Sequence, residues 1–186
     1  IHDDPREDLL MPESLLNKIF IELNKCDYSN RISFYNNNEP FLDKRLSNII
    51  KNARENLPKA YLEIKSNGRG LKIEHILKVF NEGLDMLYIN DYTSDGKHSK
   101  NVIRLMNDLS SIRRFKGHMV SNDGNYYRRI VIYHREIDEV LQTRGGSAPN
   151  RKELEKSLKS SCFRPFEMMT VSPEGRVGVC SNDFFY

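Results

Sequence analysis

The sequence predicts an α/β protein built on a parallel sheet. Apolar strand-like runs alternate with amphipathic helical segments from residue 13 to about residue 146, an order that predicts parallel strands joined by right-handed crossovers. The strands also end in polar tips. Ser33-Phe-Tyr-Asn-Asn-Asn-Glu-Pro-Phe-Leu-Asp43 is followed by Ile64-Lys-Ser-Asn-Gly68 and Leu87-Tyr-Ile-Asn-Asp91. Polar tips at the C-terminal ends of successive strands are where parallel folds place ligand sites. The residues alone leave two sheets open, a doubly wound sheet or a curved partial barrel.

Each element has its own pattern. Leu15, Leu16, Ile19, Phe20 and Leu23 share one face of a helix over 13–24, whose first turn accommodates Pro12. A short strand over 32–35 follows. Leu46, Ile49 and Ile50 point inward from a helix over 45–55, and a strand covers 60–64. Ile73, Ile76, Leu77 and Phe80 mark a helix over 73–81, closed by Gly83, since glycine adopts the left-handed conformation that ends helices. A strand over 86–89 leads to a helix over 99–114 with Val102, Ile103, Met106, Leu109 and Ile112 or Arg113 on its buried side. Asn122-Asp-Gly124 is a turn pattern. The β-branched and aromatic run over 127–133 predicts one strand. Gln142 to Gly146 reads as a further strand tip. After the linker Ser147-Ala-Pro-Asn150, a lysine-rich helix over 151–160 precedes a hairpin over 171–179 that turns at Pro173-Glu-Gly175. The organisation is thus a main domain over 1–150 and the start of a second over 151–186.

Composition narrows the function. Of the 186 residues, 38% are hydrophobic and 30% charged, and no apolar run reaches the length of a membrane span. The net charge of +3 is spread among acids, which argues against a nucleic-acid partner. The acidic start, Ile1 to Asp8, is unlike a signal peptide, and the missing initial methionine suggests an upstream portion. Three cysteines, Cys26, Cys162 and Cys180, do not make a disulfide framework, so a reducing, cytoplasmic setting is expected. Cys26, between a helix and a strand, reads as a buried thiol. His2, His75, His98, His118 and His134 show no ligand spacing.

Two constellations carry chemistry. Asn36-Asn37-Asn38-Glu39-Pro40 offers amide donors and acceptors with one carboxylate, a set that suits an amino-acid or amine-bearing ligand and equally suits a tight turn. Cys162 and Cys180 flank the tail hairpin. Two thiolates there make half of a zinc or iron–sulfur site, or two buried thiols.

Together these residues resemble the radical S-adenosylmethionine (radical SAM) superfamily with a C-terminal SPASM or twitch auxiliary-cluster domain. Asn37-Asn38-Glu39-Pro40 matches the position of the family's Gly-Gly-Glu-Pro motif, which binds the amino group of S-adenosylmethionine. Ser66-Asn67-Gly68 resembles its Thr-Asn-Gly tip. Gly83 to Asn90 is similar to the Gly-Leu-Asp segment and the strand whose tip, here Asn90, approaches the cofactor. Gln142 to Gly146, with Arg144, resembles the Asn-Arg-Gly-Gly stretch before the auxiliary domain, and Cys162 to Cys180 its opening pattern.

The resemblance implies a partial (β/α)6 barrel. It implies reductive cleavage of S-adenosyl-L-methionine to a hydrogen-abstracting 5′-deoxyadenosyl radical, with [4Fe–4S] clusters, a peptide or protein substrate, and an electron donor such as flavodoxin or ferredoxin. Asn37, Asn38, Glu39, Pro40, Ser66, Asn67, Asn90 and Arg144 would hold the cofactor, and Cys162 and Cys180 a metal. The sequence departs from the family in having no C-x3-C-x2-C loop, expected upstream of Ile1, and in carrying Asn37 and Asn38 where the motif has glycines. Without that loop this polypeptide is not expected to perform radical chemistry. Other readings are a binding module that lost the loop and an α/β protein with a zinc-binding tail.

Overall fold

The computed structural model describes residues 9–36, 38–121, 124–136, 161 and 163–178. The chain divides into two units, Asn17–Ile137 and Ile1–Leu16 with Asp138–Tyr186. The first unit holds a six-stranded sheet. Its strands are β1 (Arg31–Ser33), β2 (Tyr61–Ser66), β3 (Met86–Thr93), β4 (Met119–Ser121), β5 (Gly124–Tyr127) and β6 (Ile130–Glu136). They lie in the order β1-β2-β3-β6-β5-β4. The first four in that order are parallel, while β5 and β4 add an antiparallel hairpin at the edge. The parallel strands follow one another without a reversal of direction, unlike a doubly wound sheet. Among the described residues the sheet does not close into a barrel.

Helices α2 (Leu46–Asn56), α3 (Ile73–Asn81) and α4 (Lys100–Ser111) connect the parallel strands. Each buries one stripe. In α2 it is Leu46, Ile50 and Ala53, in α3 Ile76, Val79 and Phe80, and in α4 Val102, Leu105 and Leu109. These stripes meet Leu62, Ile64, Leu87, Ile89, Ile130 and Ile132, all fully buried at alternate strand positions. The α4 stripe corrects the sequence reading, for Ile103 is exposed. Asn101 sets the helix rotation by donating to the carbonyls of Gly68 and Leu71, while Ser99 caps its start.

The strand expected over 127–133 is instead two strands joined at Arg128-Arg129. Arg129 adopts φ 69°, unusual for a side chain of its size. Its guanidinium donates to the carbonyls of Asp85 and Leu84 and lies 4.9 Å from the Phe80 ring centroid, contacts that offset the strain. Asp85 is tied down further. Its Oδ2 accepts from Leu62 N at 2.8 Å and from Arg54, which also donates to the carbonyls of Gly83, Pro58 and Ala60. The Gly83-Leu-Asp85 segment is therefore a structural clamp beneath the strands.

Helix α1 (Glu13–Lys25) buries Phe20, which meets Phe34 edge-on. Cys26, expected to be buried, is exposed, because the chain turns at Asp27 (φ 50°) just beyond the helix. In the second unit, α5 (Arg164–Glu167) precedes a hairpin of β7 (Thr170–Val171) and β8 (Val177–Gly178). Ser172 closes its turn by accepting from Gly175 N at 2.9 Å.

Candidate functional site

The C-terminal ends of β1, β2, β3 and β6 form one rim. At the first tip, Pro40 opens a short 3₁₀ turn capped by Glu39, whose Oε1 accepts from Phe41 N at 3.3 Å. Glu39 Oε2 accepts from Asn67 N at 2.7 Å. One carboxylate thus joins the loop after β1 to the tip of β2. The asparagines shape their own turns: Asn38 Oδ1 accepts from Asn36 N and Asn67 Oδ1 from Arg69 N, both at 2.8 Å. Beyond Asn67, Gly68 adopts φ +72°, and a Cβ there would lie 2.8 Å from Ile89 Cγ2.

Strand parity decides which residues face outward from the helices. Ser66 shares parity with Leu62 and Ile64, is buried, and accepts from Gly68 N at 3.0 Å. Ser66 pairs with Ile89, so Asn90, the next residue along β3, lies on the opposite face. The expectation that Ser66 joins Glu39 and Asn90 is therefore corrected: its hydroxyl serves the turn on the helix-covered side. Glu39 and Asn67 do meet, and Asn90 lines the open face. Asn37, Arg144, Cys162 and Cys180 lie outside the described residues.

That open face holds a cleft of about 540 Å³ lined by Arg31, Glu63, Lys65, Tyr88, Asn90, Tyr133, His134 and Arg135. Glu63 is its base. The side chain is 3% exposed, and its Oε1 accepts from Ser33 Oγ at 2.8 Å and Tyr35 Oη at 3.0 Å, with Arg31 Nε at 3.6 Å. Lys65 sits 4.9 Å from the Tyr35 centroid and 5.6 Å from that of Tyr88, a cation held over ring faces. Tyr88 stacks in parallel with Tyr133 at 6.5 Å, and Arg135 lies over Tyr133. Burial first, then the Glu63 carboxylate, raises the Tyr88 pKa above its ordinary value. Its hydroxyl therefore stays a donor at neutral pH.

Sequence reading by tips missed most of these residues. The pattern that reveals them is alternation: Tyr61-Leu-Glu-Ile-Lys65 and Met86-Leu-Tyr-Ile-Asn90 place a core residue at every second position. Parallel strands covered on both faces read as nearly continuous apolar runs, so this alternation marks one polar face.

Behind the rim, histidines brace β3, β5 and β6. Asp91 Oδ2 accepts from Ser99 N at 2.7 Å and meets His98 Nδ1 at 3.1 Å. His98 Nε2 in turn meets Asn125 Nδ2 at 3.0 Å. The Thr93 hydroxyl donates to the Lys97 carbonyl, so its oxygen accepts from His134 Nε2 at 2.6 Å.

Among the described residues no group of three or more His, Cys, Asp and Glu could hold a metal ion. No described helix is long and apolar enough to cross a membrane.

No protein-family model matches the chain. Its sequence is similar to the S-adenosyl-L-methionine-dependent 2-deoxy-scyllo-inosamine dehydrogenase of Niallia circulans, 25% identical over 174 residues. That alignment takes in 94% of this chain and 62% of the dehydrogenase, so the chain spans under two thirds of the curated relative's length. The fold is similar to BtrN in complex with AdoMet and 2-DOIA, with a TM-score of 0.70 and 24% identity over 94% of this chain and 62% of that one. It is also similar to BtrN in an open conformation, with a TM-score of 0.61 and 19% identity over 94% and 59%. These likenesses overturn the SPASM or twitch assignment. The tail hairpin forms, but the protein matched is a dehydrogenase, and nothing in the match identifies an auxiliary-cluster domain or a peptide substrate. The chain is thus similar, along nearly its whole length, to an S-adenosyl-L-methionine-dependent dehydrogenase.

Proposed function

We propose that this chain binds S-adenosyl-L-methionine along its strand-tip rim and belongs to a radical-type oxidoreductase that dehydrogenates a small polar substrate. The observation that carries the reading is the sequence likeness to an S-adenosyl-L-methionine-dependent dehydrogenase over 94% of the chain. The rim's donor set suits the methionyl end of that cofactor. Glu39 has a carboxylate to accept from an ammonium, with Asn37, Asn38 and the Pro40 turn beside it in sequence. Asn67 holds Glu39 in place, and Asn90 offers an amide to a hydroxyl or carboxylate. Arg144 would meet a carboxylate.

When bound and reductively cleaved, S-adenosyl-L-methionine supplies hydrogen-atom abstraction. The protein's part is to orient it, exclude water and present a substrate carbon. The required one-electron reductant would be a small redox protein such as flavodoxin or ferredoxin. The described residues provide no donor set for an iron–sulfur cluster.

Calorimetric titration of S-adenosyl-L-methionine tests the reading. Glu39→Ala is expected to weaken binding about tenfold, as loss of a charge-assisted hydrogen bond costs on the order of 1.5 kcal/mol. Unchanged affinity would remove Glu39 from the site.

A further inference from the structure

The cleft on the open face of the sheet is lined by charged and aromatic side chains. Among the described residues that line the cleft, Glu63 is the one carboxylate, against Arg31, Lys65 and Arg135. Arg31 faces Glu63 at 3.6 Å, and Lys65 is steadied by the rings of Tyr35 and Tyr88. Among the described residues Lys65 has no carboxylate within ion-pairing distance. An ammonium set against ring faces rather than a carboxylate keeps an unneutralised charge for an anion, and a cleft rich in one sign of charge concentrates ligands of the other.

Glu63 supplies a second, independent observation. Its bonds to Ser33 and Tyr35 and its approach to Arg31 all use Oε1. Oε2, on a side chain 3% exposed, has no hydrogen-bond partner among the described residues. A buried oxygen left unpaired is costly, so native structures satisfy such atoms. A hydroxyl donor fits Oε2 better than an ammonium would, because Arg31 already offsets the Glu63 charge and a cation would face the other cations of the lining. Tyr88 adds a neutral hydroxyl for a further substrate hydroxyl.

We propose that the cleft takes a small hydroxylated anion, a cyclitol or sugar bearing a phosphate or carboxylate, with the anion at Lys65 and a hydroxyl on Glu63. This differs from the amine in the name of the dehydrogenase that the chain resembles. The proposal rests on reading the cleft as the substrate chamber of the oxidoreductase proposed above.

The test titrates the full chain calorimetrically with myo-inositol, myo-inositol 1-phosphate, 2-deoxy-scyllo-inosamine and inorganic phosphate, and separately with S-adenosyl-L-methionine. The phosphate ester should bind about tenfold or more tighter than the neutral cyclitol, the amine and inorganic phosphate. Lys65→Met should abolish that preference while leaving S-adenosyl-L-methionine affinity unchanged, which separates a substrate anion from the cofactor's own carboxylate. Lys65→Arg should retain the preference, and Lys65→Gln, which removes the charge but stays polar, should lose it and is read if Lys65→Met does not fold. Tighter binding of the amine, equal binding of ester and inorganic phosphate, a preference that survives Lys65→Met, or no ester binding at about 10 mM would overturn the proposal. Failure of S-adenosyl-L-methionine to bind while the anion preference holds would instead strike the cofactor reading alone.

Discussion

Single residues at the rim tie its loops and strand tips together. Glu39 caps a turn with one oxygen and holds the neighbouring strand tip with the other, so its position is fixed before any ligand arrives. Just beyond it, Asp43 Oδ2 accepts from Arg45 at 2.8 Å, and that contact, foremost, lowers the Asp43 pKa below its ordinary value. The unfolded chain then binds more protons than the folded one between the two values, so stability rises with pH across that window. The contribution is fully present above about pH 4 and fades as pH falls through the lowered folded value. Denaturant unfolding at stepped pH is expected to show a shallower acid loss in Asp43→Asn than in the parent chain. Parallel acid profiles would mean that Asp43 gains nothing from folding.

At the scale of elements, the β2–α3 connection positions the site. Gly68 turns with positive φ against Ile89 and Val102, leaving Asn67 N directed at Glu39. Gly68→Ala is expected to cost about 1–3 kcal/mol in thermal or denaturant unfolding and to weaken S-adenosyl-L-methionine binding as the tip shifts. A variant as stable as the parent would show that neither the positive φ nor the Ile89 contact constrains this turn.

Much of this level was legible in the sequence. The helix over 73–81 was readable because Ile76 and Phe80 repeat at helical spacing and Gly83 marks the end. The β5–β6 hairpin was not, because Arg128-Arg129 carries none of the usual turn chemistry and its positive φ is held by tertiary contacts with Leu84, Asp85 and Phe80. Glu39 and Asn67 could be anticipated as tip residues. The place of Ser66 could not, because a tip spans both parities and only strand register shows that Ser66 lies beside Ile89 rather than Asn90.

At the scale of the sheet-bearing unit, two faces divide the labour. One meets the helices with fully buried apolar residues, and the other presents Arg31, Glu63, Lys65, Tyr88 and Asn90. Successive parallel strands without a reversal place their C-terminal tips along one rim beside that polar face, so under the proposed reading a cofactor held by the tips would lie next to a substrate on the open face.

Backbone-amide NMR of the chain titrated with S-adenosyl-L-methionine reads the rim residue by residue. Saturable shifts are expected at Glu39, Asn67, Gly68 and Asn90, with the clamp at Arg54 and Asp85 undisturbed. A titration that leaves those rim amides in place, or moves only residues remote from them, would contradict cofactor binding at the rim.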